Sequence, residues 1–293
     1  MRNFFLRCAA SGPRVNTVIN MDTQRTTLQF IRSDSTGTPS VSYSGFDETQ
    51  QYSADYLFQE SEVINARALA KKRSFSLDKE AFKLVDFSPS EIDFLNPILV
   101  KTAYYPSVEA LVKKATGADH VFAFDHTVRR GIQASNRHPA YHVHNDYTFD
   151  TGITRARDFL GSEVMGQFAG KRMIQVNVWR SIAGVVEQDP LALLDATTLD
   201  ISDLVKTEIR FNDSKTGDTH SGEIFALKKN DAQRWYYFPE MDSHEAVLIK
   251  GFDTDPSVSC FAMHSAFPLP EQGPHNKPRQ SIETRVYGFY DAA

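Results

Sequence analysis

The sequence predicts a mainly β chain, a sandwich or barrel of short strands with few helices. Three observations carry this. Beyond residue 118, short apolar or alternating runs follow one another, separated by turn residues. Only Ser107–Thr116 and Arg155–Phe168 have the look of helices. No repeat or low-complexity tract interrupts the series.

Residues 1–60 are rich in Ser, Thr, Asp, Gln and Gly, and only Thr26–Ile31 is strand-like there. The expectation is an N-terminal arm over residues 1–60 that packs on one domain spanning residues 61–293. Val63–Leu69 and Phe82–Phe87 read as strands around a polar turn. Ser107–Thr116 follows Pro106 and spaces Val108, Leu111 and Val112 as a helix does. The strands predicted after it are Val121–Phe124, Tyr141–Asp146, Met173–Arg180, Leu191–Leu194, Val205–Phe211, Glu223–Leu227, Trp235–Phe238, Ala246–Phe252, Cys260–His264 and Ser281–Phe289.

A chain of 293 residues with 41% hydrophobic and 24% charged residues can bury a sizeable core. The net charge of −5 and the lack of a basic run argue against a nucleic-acid partner. Apolar runs such as Ala246–Ile249 are too short to span a membrane. Cys8 and Cys260 make neither a disulfide framework nor a zinc ribbon, which fits a reducing compartment. The basic stretch at the N-terminus lacks an apolar h-region, so a cytoplasmic location is expected. A homodimer, with the arm as a contact, is a further expectation.

Alternation along the strands points to a polar lumen. Successive side chains face opposite ways. Gln175, Asn177 and Trp179 share one face of their strand, and Ile174, Val176 and Val178 share the other. His142, His144, Asp146 and Thr148 share a face, as do Cys260, Ala262 and His264, and as do Arg279, Ser281, Glu283 and Arg285. An ordinary one-sided sheet would also alternate. Clustered His, Asp, Asn and Arg are instead the content of a barrel that holds a ligand, a metal or water, because unpaired buried charge is costly.

His144-Asn145-Asp146 is the only His-x-Asp tripeptide among nine histidines, and its spacing puts both groups on one side of an extended segment. Alone it is a weak signal. Two imidazoles and a carboxylate on one face of an octahedron suit ferrous iron and leave positions open for a co-substrate and O₂. His264, on a small-residue strand face near the C-terminus, fits as the third ligand. His142 reads as a neighbour of the metal, and His126 as a structural hydrogen-bonder. A co-substrate such as 2-oxoglutarate needs an anchor for its far carboxylate, and Arg is best at this. Arg279 with Ser281 is preferred, and Arg285 is the alternative.

The stretches TAYYPSVEALVKKATGADHVFAFDHTVRR, AYHVHNDYT, QVNVWRSIAGVVEQDPLALLD, RWYYFPEMDSHEAVLIKGFD, MHSAFPLP and PRQSIETRVYGF occur in this order. Together, over roughly residues 95–293, they resemble the fungal and bacterial hydroxylase/desaturase family that includes gibberellin desaturases, cephalosporin methoxylation proteins and fungal meroterpenoid oxygenases. His142 departs from the family's run. The resemblance implies a double-stranded β-helix (jelly-roll) core with flanking helices, Fe(II), and 2-oxoglutarate as co-substrate with O₂. It implies His144, Asp146 and His264 as ligands, and Asn177, Trp179, Arg180, Arg279 and Arg285 as pocket residues. The expected reaction is oxidation of an unactivated C–H of an apolar small molecule in secondary metabolism, by hydroxylation, desaturation or endoperoxide formation. Tyr104, Tyr105, Tyr236 and Tyr237 are candidates for the pocket wall or for plain packing. Two other readings stay open: a metal-dependent isomerase, lyase or 2-oxoglutarate-independent dioxygenase on the same barrel, and a non-catalytic small-molecule-binding barrel.

Overall fold

The structure, a computed structural model, describes residues 23–32, 39–44, 49–52, 56–70, 73–130, 139–212 and 219–291. The basic N-terminal stretch and Cys8 lie outside them. In chain order the strands are β1 (Thr23–Ile31), β2 (Ser40–Ser44), β3 (Thr49–Tyr52), β4 (Tyr56–Asn65), β5 (Phe82–Asp86), β6 (His120–Arg130), β7 (His144–Asn145) and β8 (Met173–Ser181). They continue as β9 (Leu191–Leu194), β10 (Leu204–Asn212), β11 (Thr219–Leu227), β12 (Trp235–Tyr237), β13 (Glu245–Asp253), β14 (His264–Ala266) and β15 (Gln280–Phe289). The helices are α1 (Ala66–Ala70), α2 (Pro97–Leu99, running into a π-helical turn at Val100–Tyr104), α3 (Tyr105–Thr116) and α4 (Thr151–Gln167).

Two sheets form. One has the order β1-β4-β12-β9-β14-β7-β11-β10-β2-β3, and the other β5-β13-β8-β15-β6. The mainly β, jelly-roll expectation is met. All nine residues of β8 are buried because both of its faces are covered. On one face Ile174, Val176 and Val178 pack with Val108 and Val112 of α3 and with Ile282 and Val286 of β15. On the other, Trp179 joins Leu191, Leu193 and Tyr236 of the larger sheet. The inter-sheet space therefore receives the odd-numbered face of β8, as the alternation predicted.

Local chemistry sets the element ends. Asn96 accepts from the N–H groups of Ile98 and Leu99, and Pro97 follows it, so a helix starts there. Gly117 (φ 75°) closes α3 in the left-handed conformation that glycine adopts without strain. Three predicted strands differ. Val63–Leu69 divides, because the side chain of Asn65 accepts from the Arg67 N–H and turns the chain from β4 into α1. Tyr141–Asp146 keeps regular pairing only at His144–Asn145, with an isolated parallel bridge from His142 to Gln29. Cys260–His264 becomes a strand only from His264 onward. β2, β3 and the first half of β4 lie within residues 1–60, where the polar composition indicates only the strand Thr26–Ile31.

Candidate active site

β7 and β14 are antiparallel neighbours, and His144 and His264 are directly opposite each other in the register. Residues so paired have adjacent side chains, and the two imidazole rings are 4.7 Å apart. The chain leaves the ladder after Asn145, which brings the Asp146 carboxylate round to them, its Oδ1 3.6 Å from His144 Nε2. One donor atom from each of His144, Asp146 and His264 lies within 4.8 Å of the others. His144 Nδ1–H points at the His142 carbonyl (2.8 Å) and His264 Nδ1–H at the Ala262 carbonyl (3.2 Å). Each bond assigns the proton to Nδ1 and leaves Nε2 as the donor atom for a metal.

Electrostatics agree with this arrangement. Burial, with the neighbouring His264, pulls the His144 pKa down to about 4, so the ring is neutral and ligand-ready near pH 7. Burial also pushes His142 well below the ordinary histidine range. Burial alone would raise the Asp146 pKa, but the Arg285 charge, the two histidines and the Asn177 hydrogen bond outweigh it, so the group stays ionised. Two imidazoles and a carboxylate on one side of a cavity are the donor set of a ferrous site with open positions, so the residues present fit such an ion.

Asp146 is held from the smaller sheet. Asn177 Nδ2 donates to its Oδ2 (2.8 Å), and Gln175 Nε2 donates to Asn177 Oδ1 (2.7 Å). Two β-bulges help. One in β13 lies between Lys250 and Phe252, at Gly251, whose carbonyl accepts from Asn145 Nδ2 at 3.0 Å. A Cβ on Gly251 would sit 2.0 Å from Gln175 Oε1, so any larger residue would displace the Gln175 side chain. The other lies opposite Arg285/Val286 and turns Asp125 of β6 toward Arg285.

The two candidate anchors differ sharply. Arg285 is fully engaged: Nε with Asp146 (3.2 Å), Nη1 with Asp125 (3.0 Å) and Thr127 (3.2 Å), and Nη2 with Glu283 (2.7 Å). Arg279, only 5% exposed, donates from Nη1 to the backbone carbonyl of Asp189, and its buried Nε–H has no acceptor among the described residues. Its guanidinium lies over the Trp179 ring, 5.5 Å from the centroid. Burial, followed by the nearby Arg129 charge, lowers its pKa to about 10. One cavity is lined by His144, Asp146 and His264 together with Arg279, Arg129, Trp179, Glu283 and Arg285. Ser281 is buried on the face of β15 that carries Glu283 and Arg285 but does not line this cavity.

Other expected residues fall elsewhere. Arg180 lies on the opposite face of β8 from Trp179, near the rings of Phe87, Phe94 and Tyr104, and donates to the Ser243 carbonyl. Strand alternation makes this unavoidable for neighbours such as Trp179 and Arg180. Tyr236 packs against Phe75, and Tyr237 against Phe267. Tyr105 hydrogen-bonds His126 (2.8 Å), which makes His126 the structural partner that was expected. Sequence reading missed Arg129, Asp125 and Gly251. Arg129 and Asp125 carry a signal, since Asp125, Thr127 and Arg129 alternate along β6, which continues past the predicted end at Phe124 to Arg130.

Comparison with known proteins adds the family. A family model described as "Oxidoreductase/YMDC permease-like domain" matches residues 28–289. No helix among the described residues is long and apolar enough to cross a membrane. The alpha-ketoglutarate-dependent dioxygenase phiK of a fungal species (strain ATCC 74256) is 30% identical over 229 residues, covering 74% of this chain and 80% of its own. The Fe(II)/2-oxoglutarate-dependent dioxygenase nvfI of Aspergillus novofumigatus is 28% identical, covering 89% and 95%. The hydroxylase/desaturase efuI of Hormonema carpetanum is 26% identical, covering 98% of each chain. The solved iron and alpha-ketoglutarate-dependent endoperoxidase NvfI superposes with a TM-score of 0.80 over 92% of this chain and 99% of its own, at 24% identity, and so shares its fold.

Proposed function

Because the chain belongs to this oxidoreductase family, among its fungal Fe(II)/2-oxoglutarate-dependent dioxygenases and hydroxylase/desaturases, we propose that His144, Asp146 and His264 hold its ferrous ion and that Arg279 anchors its 2-oxoglutarate. The enzyme is a dioxygenase that acts on a small molecule of fungal secondary metabolism. A ferrous ion with 2-oxoglutarate and O₂ supplies the oxidising power to break an unactivated C–H, while the co-substrate leaves as succinate and CO₂.

The observation that carries the site assignment is the pairing, in one cavity, of a His/Asp/His cluster with a buried guanidinium that lacks a carboxylate partner. The chain's own groups orient and exclude. The carbonyls of His142 and Ala262 aim the two imidazoles. Asn177 and Arg285 hold Asp146. Arg279 offers N–H groups to a distal carboxylate, and Trp179 covers its guanidinium. Leu191, Ala140 and Ala266 add apolar wall to a cavity whose lining is otherwise mostly polar. A cytoplasmic location and a homodimer are part of this proposal, the first supported by the low cysteine content.

The test is substrate-free turnover of 2-oxoglutarate with Fe(II) and O₂, read as succinate formed and O₂ consumed. The wild-type protein is expected to produce succinate, and Asp146→Ala to produce none. Succinate formation that survives in Asp146→Ala contradicts the assignment.

A further inference from the structure

A metal-binding carboxylate has two oxygens. If the second is not restrained, the group can rotate, chelate the metal through both, and take up a position that a co-substrate or O₂ requires. In this protein the second oxygen of Asp146 is restrained by more than one strand. Asn177 Nδ2 of β8 donates to Oδ2 at 2.8 Å, and Arg285 Nε of β15 approaches the same atom at 3.2 Å. Oδ1 is the oxygen that faces His144 Nε2.

Both donors are themselves fixed. Arg285 lies between Asn177 of β8 and Asp125 of β6 in a single row across the sheet. Its Nη1 bonds to Asp125 and Thr127, and its Nη2 to Glu283 at 2.7 Å. Asn177 is oriented by Gln175 at 2.7 Å. A guanidinium with each of its three nitrogens committed to a side-chain oxygen is poorly placed to grip a diffusible carboxylate. A planar fork with fixed partners is well placed to hold one oxygen at a set angle.

We propose that Arg285 and Asn177 form a positioning clamp on Asp146 Oδ2, which restricts this carboxylate to single-oxygen ligation and keeps one position of the metal open. The clamp rests on the reading of His144, Asp146 and His264 as metal ligands. It assigns Arg285 a role different from that of Arg279. Arg285 acts through Asp146, whereas Arg279 meets the co-substrate itself.

The test separates metal binding from co-substrate binding. Co(II) alone is titrated into the metal-free protein, and its visible spectrum reports coordination number. The 2-oxoglutarate dissociation constant is then measured at saturating metal. Arg285→Gln is expected to weaken Co(II) binding by roughly 10–100-fold and to change the Co(II) spectrum, while 2-oxoglutarate affinity changes by less than about 3-fold. Arg285→Lys, which keeps the charge but not the fork, should recover only part of the loss. Asn177→Ala removes one clamp bond without unbalancing the acids around Arg285, and it decides the matter if Arg285→Gln does not fold. It should weaken Co(II) in the same direction and alter the spectrum likewise. Unchanged Co(II) affinity and spectrum, with weakened 2-oxoglutarate, would overturn the clamp and make Arg285 a co-substrate contact, leaving the metal assignment intact. A wild-type protein that binds no Co(II) would overturn the metal assignment and the clamp together.

Discussion

Arg279→Met should make the protein more stable and a worse binder of 2-oxoglutarate, two effects that point in opposite directions. Arg279 is 5% exposed, and its one hydrogen bond among the described residues is to a backbone carbonyl. Burial lowers its pKa from 12.5 to about 10. A base whose folded pKa is depressed binds fewer protons folded than unfolded between those two values, so at pH 7 its charged form destabilises the fold. At 1.36 kcal/mol per pKa unit this is about 3 kcal/mol. Methionine fills similar space without that cost but loses the bond to Asp189, worth about 1 kcal/mol. The net gain is about 1–2 kcal/mol, a rise in Tm of about 2–8 °C. The co-substrate should respond in the opposite sense. Losing a charge-assisted bidentate pair in a dry site costs about 3–5 kcal/mol, or roughly 100- to 4,000-fold in Kd. The assay is thermal unfolding of the metal-free protein, together with anaerobic titration at saturating Fe(II). Pyruvate, which has no distal carboxylate, serves as control and should bind both proteins alike. A lower Tm with unchanged 2-oxoglutarate affinity would show that Arg279 is a structural residue and refute the reasoning.

Two further outcomes follow from the same geometry. His144 has its pKa depressed to about 4. The unfolded chain therefore takes up a proton below pH 6.5 that the folded protein refuses, and stability should fall by up to about 3 kcal/mol between pH 6.5 and 4. Urea midpoints of the metal-free protein over that range check this, and His144→Gln should flatten the profile. Gly251→Ala drives a Cβ into Gln175 Oε1 and to 3.2 Å from the Tyr147 ring. It should cost about 1–3 kcal/mol of stability and also weaken metal binding, because Gln175 orients Asn177 and Asn177 holds Asp146. Equal metal affinity in a destabilised Gly251→Ala protein would break that chain of support.

What the sequence made legible follows from strand alternation. Asn177 and Trp179 share a face with Gln175, and β8 places that face between the sheets. The His-x-Asp spacing put two donor groups on one side, and β14 delivers His264 opposite His144. The less legible parts depend on contacts between distant segments or on breaks in the pattern. The bulges at Gly251 and Phe124 insert a residue and shift the alternation. Arg285 and Arg279 lie on one strand face with similar surroundings in sequence, and only the acids of β6 and β15 separate an engaged guanidinium from an available one. Polar composition hides β2, β3 and the first half of β4, and pairing of β2 with β10 and of β4 with β1 supplies what propensity does not. Asn65 ended a run that hydrophobicity alone would have continued.

The most direct test of the central claim is anaerobic titration of the metal-free protein with Fe(II) and then 2-oxoglutarate, watching for the weak visible band that arises when both bind at one centre. The account predicts the band in the wild-type protein and its loss in His264→Ala. A wild-type protein that binds Fe(II) yet shows no band with 2-oxoglutarate would contradict the shared site, and one that binds no Fe(II) would contradict the ligand set of His144, Asp146 and His264.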